Sequence, residues 1–214
     1  MAFDGWPAEA IEFYEGLAAN NSKSYWLAHK ADYDELVHRP MLELLAELEP
    51  EFGAGKTFRP YRDVRFSKDK SPYKTAIGAT LAGGGYVQFS AKGLATASGT
   101  YIFAPGQLDR YRRAVVDDSS GAKLAGTVAV LRVAGLEISA HDVLKTCPKG
   151  YPKDHPRVDL LRYKGLIVWK DWQADAWLGT NEARKRVVGF LRTSAPLNEW
   201  LAAHVGSADA SADA

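Results

Sequence analysis

The chain has 214 residues, 46% of them apolar and 25% charged, the balance of an ordinary globular protein large enough to bury a core without disulfide or metal staples. Its 27 basic and 26 acidic residues nearly cancel, which excludes a protein built wholly to coat nucleic acid, so any polyanion site must be local. Cys147 is the single cysteine, so no intrachain disulfide forms, as suits a reducing compartment. The opening MAFDGWPAEA has no basic segment before an apolar run, and no apolar run reaches the ~18 residues of a membrane span; the expectation is a cytoplasmic protein.

Ala10, Phe13, Tyr14 and Leu17 repeat at helical spacing after Pro7, which predicts a first helix over Pro7 to Ala19, ended by Asn20-Asn21. Ser22 is placed to cap a second helix carrying Trp26, Tyr33, Leu36 and Val37. Pro40 should stop or kink it, and Met41, Leu44, Leu45 and Leu48 continue a helical stripe to Pro50. Gly55-Lys56-Thr57 ends like a phosphate-binding loop. Pro50, however, stands where the pattern needs its first glycine, and a helix precedes where a strand should, so that reading is rejected.

The middle of the chain reads as β. Tyr61 to Phe66 and Tyr73 to Leu81 alternate, Gly83-Gly84-Gly85 is a turn, and Tyr86 to Ser90 and Leu94 to Phe103 are further strands. Their short links predict an antiparallel meander. The small residues Ala95, Ala97 and Gly99 on one face of the last strand leave room for a helix or ligand. After Pro105 come two helices, one with Leu108, Tyr111 and Val115, the next with Leu124, Val128 and Leu131. A short strand is expected over Leu136 to Ile138, a proline-rich loop over Cys147 to Pro156, and a strand over Leu166 to Trp172. Two closing helices follow, Asn181 to Arg192 capped by Thr180 and Pro196 to Val205 capped by Ser194. The predicted class is α+β: one domain over residues 1–205, a mostly antiparallel sheet packed with N-terminal and C-terminal helices, and a disordered tail over 206–214.

Positive charge gathers at RPYRDVRFSKDKSPYKT, Arg59 to Thr75, where six basic residues face two acidic ones for a formal +4 in a chain of +1. Ser67, Asp69 and Pro72 are turn formers, and a turn offers backbone N–H groups, hydroxyls and ammonium groups in one place, the equipment of an anion site. The candidate ligand-binding residues are Arg62, Arg65, Lys68, Lys70, Tyr73 and Lys74, with Tyr73 or Tyr101 as a wall. Arg62 shares strand parity with Val64 and Phe66, so it needs a carboxylate or ligand partner. The bland reading is a solvated hairpin with charges paired across it.

Other chemistry is thin. There is no G-x-S-x-G elbow, and the five histidines lack zinc-binding spacing. Cys147 and His155 share a loop but make a weak nucleophile–base pair. Asp63 and Asp69 could hold Mg²⁺ in a phosphate-processing enzyme only if a third ligand converges on them.

The run Arg62-Asp63-x-Arg65-Phe66-Ser67-Lys68-Asp69-Lys70-Ser71-Pro72-Tyr73-Lys74-Thr75 resembles the signature of the domain of unknown function 2461 family. So do Asn20-Asn21 before Tyr25-Trp26, Gly99-x-Tyr101, Arg112, Lys149-Gly150-Tyr151 and Asp154-His155-Pro156. The resemblance covers most of the chain and implies an intracellular, mostly microbial protein of unassigned activity. It brings no known catalytic residues, and the cofactor is unknown. Three functions are carried forward in order: a binding domain for a phosphorylated or carboxylated small molecule, nucleotides included; a metal-dependent phosphate-processing enzyme using Asp63 and Asp69; and a nucleic-acid or protein-interaction domain.

Overall fold

Helices come first because the apolar residues of the first fifty positions recur every three or four residues. α1 (Ala8–Ala19) buries Ala10, Phe13, Tyr14 and Leu17. Ser22 caps α2 (Lys23–Ala28) by accepting the Tyr25 N–H at 3.2 Å. The short α3 (Lys30–Asp32) runs into a π-helical segment, Tyr33–His38, and then α4 (Arg39–Phe52). This computed structural model describes residues 2–65 and 67–207.

Pro40 neither stops nor breaks the helical path. It lies at the start of α4, just after the π segment, where the Arg39 N–H already bonds five residues back to Asp34 O. The ladder is irregular there, and a missing N–H costs little in the first turn.

β1 (Gly55–Thr57) pairs antiparallel with β2 (Ala76–Leu81), and β2 with β3 (Gly85–Ser90), in the register Gly78↔Gln88. With β4 (Gly93–Thr100), β5 (Glu137–Ser139) and β6 (Leu166–Gln173) they make a six-stranded sheet in the order β1-β2-β3-β4-β6-β5. β5 and β6 are antiparallel. The fold is α+β, with helices before and after a meander-like sheet.

One expected strand is missing. Tyr61 makes a single antiparallel bridge with Tyr73, and residues 62–65 have no regular structure; Phe66, the expected strand end, lies outside the described residues. Local side chains outcompete the ladder. Asp63 Oδ1 accepts the Arg65 N–H at 3.2 Å, and Asp69 Oδ1 accepts the Ser71 N–H at 2.9 Å, while Pro60 and Pro72 have no N–H to give. Regular pairing begins only at Ala76.

The chain forms two compact units, Met1–Thr96 with Asp171–Phe190 and Ala97–Lys170 with Leu191–Ala214; the boundaries fall inside β4, β6 and the last helix. In the first unit Trp6 stacks on Phe89 at 4.7 Å and Trp26 on Tyr73 at 4.5 Å. In the second, α5 (Pro105–Val116), α6 (Asp118–Val133) and α7 (Val158–Leu161) are tied by buried polar anchors. The Tyr111 hydroxyl donates to Leu160 O at 2.8 Å, and Trp200 Nε1 donates to Ser120 O at 2.9 Å. Gly99, at φ +115°, leaves the Leu166 carbonyl 2.2 Å from where a Cβ would stand. The room made by the small residues of β4 is thus taken there by the backbone of β6.

The two expected closing helices are one, α8 (Glu182–His204), with Pro196 inside it. Thr180 still caps its start, its Oγ1 accepting the Glu182 N–H at 3.2 Å. The Ser194 hydroxyl bonds back to Leu191 O at 3.0 Å instead of capping a new helix. Leu191, Leu197, Trp200 and Leu201 are all buried, and their continuous apolar stripe outweighs the one backbone bond the proline removes. Residues 208–214 of the expected tail lie outside the described residues; Gly206 O accepts a bond from Gln107 Nε2 at 2.6 Å. No helix among the described residues is long and apolar enough to cross a membrane.

Candidate anion site

The basic segment is held at its neck. Arg62 N donates to Pro72 O at 2.9 Å and Lys74 N to Pro60 O at 2.8 Å, on either side of the Tyr61–Tyr73 bridge. Asn21 fixes the same point. Its Nδ2 donates to Tyr73 O and its Oδ1 accepts the Tyr73 N–H, both at 3.0 Å. Side chains alternate across an extended pair. The Tyr61 and Tyr73 rings therefore share one face, 5.4 Å apart with Trp26 against Tyr73. Arg62 and Lys74 share the other, as diagonal neighbours roughly 7–8 Å apart at the backbone.

That second face opens on a cleft of ≈ 440 Å³. Arg62, Lys74 and Phe58 line it, and β2 and β3 supply Ala76, Gly78, Tyr86 and Gln88. These are the β2 and β3 residues opposite to the core set Ile77, Ala79, Val87 and Phe89. Gly78 matters because the Tyr86 hydroxyl lies 2.6 Å from where its Cβ would be; any side chain there would push the phenol away. The Tyr86 hydroxyl donates to Gln88 Oε1 at 2.9 Å. Burial raises its pKa, so it stays a neutral donor.

The two cations differ. Arg62 Nη1 donates to Asp69 Oδ2, and its side chain is 31% exposed. Its Nε and Nη2 carry no hydrogen bond to a described residue, so part of the fork faces the cleft. Asp69 also accepts the Ser71 hydroxyl at 2.6 Å. Ser71 first and Arg62 second hold its carboxyl well below the usual carboxylate range. Lys74 Nζ sits 5.2 Å from the centre of the Phe58 ring. Among the described residues it has no salt bridge and no hydrogen bond. Partial burial, and then the charge of Arg59, lower its pKa.

Of the six candidates, the cleft gathers Arg62 and Lys74. Arg65 is 77% exposed and forked onto Asp63, with Nη2 2.7 Å from Oδ2; that bond lowers the Asp63 pKa. Lys68 is exposed, and Lys70 Nζ donates to Val64 O at 3.0 Å. Tyr73 is 4% exposed; it supports the site from beneath and does not wall it. Tyr101 belongs to the second unit, with its ring 5.2 Å from His141. Asp63 and Asp69 are both committed to local bonds, and no group of three His, Cys, Asp or Glu side chains that could hold a metal occurs among the described residues. The Cys147 Sγ faces the carbonyls of Pro148, Tyr151 and Pro152 at 3.5 Å, and His155 Nδ1 accepts the Arg157 N–H at 3.1 Å.

Phe58, Tyr86, Gln88 and Gly78 were not among the sequence candidates. Their signal was present: β3 alternates Tyr86 and Gln88 against Val87 and Phe89, and β2 sets the small Ala76 and Gly78 on the non-core face. A polar and aromatic face opposite a core face, floored by small residues, marks a concave surface.

Fold and site together define an α+β protein with a cationic, aromatic-sided cleft at the foot of a clamped basic loop. The chain belongs to the family described as conserved hypothetical protein (DUF2461), whose family model matches residues 9–200. Comparison with curated proteins and with solved structures finds no match.

Proposed function

We propose that this protein binds a phosphorylated or carboxylated small molecule, nucleotides included, in the cleft between Arg62 and Lys74, and that it does so in the cytoplasm. The observation that carries the reading is the pair of cations on one face of the Tyr61–Tyr73 bridge, with Phe58 and Tyr86 beside them. A cleft of ≈ 440 Å³ lies in the size range of small-molecule sites, ~300–1,000 Å³. Arg62 supplies a planar fork and Lys74 a point charge, the two complementary ways of holding an oxyanion. The aromatic rings and the Gln88 amide suit a ligand with a flat or polar body behind its anionic group.

The test is thermal stability against a panel of phosphorylated metabolites, nucleotides and small carboxylates. A specific ligand at ~100 times its dissociation constant adds about 2.7 kcal/mol of stability. Replacing both Arg62 and Lys74 with Ala should remove that gain. A panel in which no anion raises the melting temperature would defeat the reading.

A further inference from the structure

We propose that Lys74 is the attacking amine of an imine-forming site, one that takes small aldehydes or ketones carrying a carboxylate or phosphate, with Arg62 holding the anionic group. This deepens the anion-site reading and rests on it. A lysine at the mouth of a basic loop ordinarily ends on a carboxylate. Lys74 Nζ instead lies over the face of Phe58 at 5.2 Å. Arg59 acts on it by charge and Arg62 lines the same cleft, both cations, and the carboxylate next to Arg62, Asp69, already accepts Arg62, the Ser71 hydroxyl and the Ser71 N–H. The β3 side of the cleft adds only Tyr86 and Gln88, neutral and bonded to each other at 2.9 Å.

Partial burial and the cationic neighbours favour the uncharged amine, the state that attacks carbonyls, against the weaker pull of the Phe58 ring on the ammonium. The lowered pKa of Lys74 agrees, with partial burial as its main cause and Arg59 second. The Nζ lone pair adds to the carbonyl carbon as the C=O π pair moves to oxygen and is protonated from solvent. The carbinolamine then loses one water, leaving a C=N bond to Nζ. No oxidant, reductant or metal enters the balance. The iminium keeps the positive charge over the Phe58 ring, which attracts it as it attracts the ammonium. Arg62, on the same face, binds the anion of the carbonyl compound and brings the reacting carbon to Nζ.

The experiment treats the whole protein with glyoxylate and cyanoborohydride near neutral pH and maps the modified lysines by peptide mass. Acetaldehyde is the aldehyde without an anion. Glyoxylate should modify Lys74 ahead of the exposed Lys68 and Lys70, and its preference for Lys74 should exceed that of acetaldehyde by about tenfold, the size of one charge-assisted hydrogen bond. Arg62→Ala should abolish that preference, and Lys74→Arg should remove the dominant adduct. Equal modification of Lys68, Lys70 and Lys74 in the wild-type protein would overturn the proposal without reliance on any variant. Inorganic phosphate separates the two readings. If phosphate raises the melting temperature through Arg62 while Lys74 modifies no faster than Lys68, the imine site fails and the anion site stands. If phosphate has no effect and glyoxylate shows no preference, both fail.

Discussion

Asp69 anchors one nitrogen of Arg62 beside the cleft. It accepts the Ser71 hydroxyl and N–H on one oxygen and Arg62 on the other, so a single carboxylate ties both limbs of the basic loop. Its pKa is depressed in the folded protein. The stabilisation is therefore complete above the unfolded value of ~3.9 and is lost as pH falls through the folded one. The expected outcome is that Asp69→Asn lowers the melting temperature near neutral pH and that the gap from wild type shrinks as the pH drops below ~3.9. Equal gaps at pH 6 and at strongly acid pH would show that the carboxylate's charge does not matter. Lys74 gives a slope of the same sign, in the alkaline range. Its depressed pKa means the unfolded chain binds more protons over the alkaline range, so its contribution to stability rises with pH up to the ordinary lysine value of ~10.4. Bound anions reverse this by favouring the ammonium, so anion affinity should fall as the pH rises through the Lys74 pKa, and titration across that range measures it.

At the scale of elements, the loop is positioned by α1's exit and by a sheet. Asn21 clamps both backbone groups of Tyr73, and Trp26 of α2 stacks beneath it. Asn21→Ala leaves a part-buried N–H and C=O unpaired, which costs about 1–3 kcal/mol in chemical denaturation, and it should weaken the anion response although Asn21 lies outside the cleft lining. A second element test concerns β4. Gly99→Ala forces a side chain into a positive-φ position 2.2 Å from the Leu166 carbonyl. It should cost ~3 kcal/mol or more in urea unfolding, and a change under ~0.5 kcal/mol would contradict the packing of β4 against β6. The sequence was most legible where period and caps agree. α1, α5, α6, β3 and β6 follow their apolar repeats, and Ser22 and Thr180 cap as their chemistry dictates. It was least legible where side chains compete with the backbone. Asp63 and Asp69 hold residues 62–65 as a loop where the sequence alternates like a strand. A proline that should divide α8 was overridden by a continuous buried stripe.

For the molecule as a whole, the sequence located the charge but not the concavity. The parity of Arg62 was readable, and so was the concentration of cations. Which of six cations and aromatics converge was not, because that depends on the Tyr61–Tyr73 bridge and on the register that sets Gly78 opposite Gln88. Membership of the conserved hypothetical family agrees with the motif that carried the resemblance. The central claim is that a pair of cations in a cleft, not a strip of surface charge, binds the anion. The most direct measurement is anion affinity, for the best ligand of the panel, across a salt series in the wild-type protein and in the Arg62→Ala, Lys74→Ala double variant. Measurable binding with a shallow salt dependence is expected in the wild type, and none in the folded variant. A strip that tracks a polyanion would lose log K by roughly 0.9 per phosphate contact for each decade of salt. A steep slope of that kind, for nucleic acid and not for small anions, with affinity unchanged in the double variant, would contradict it.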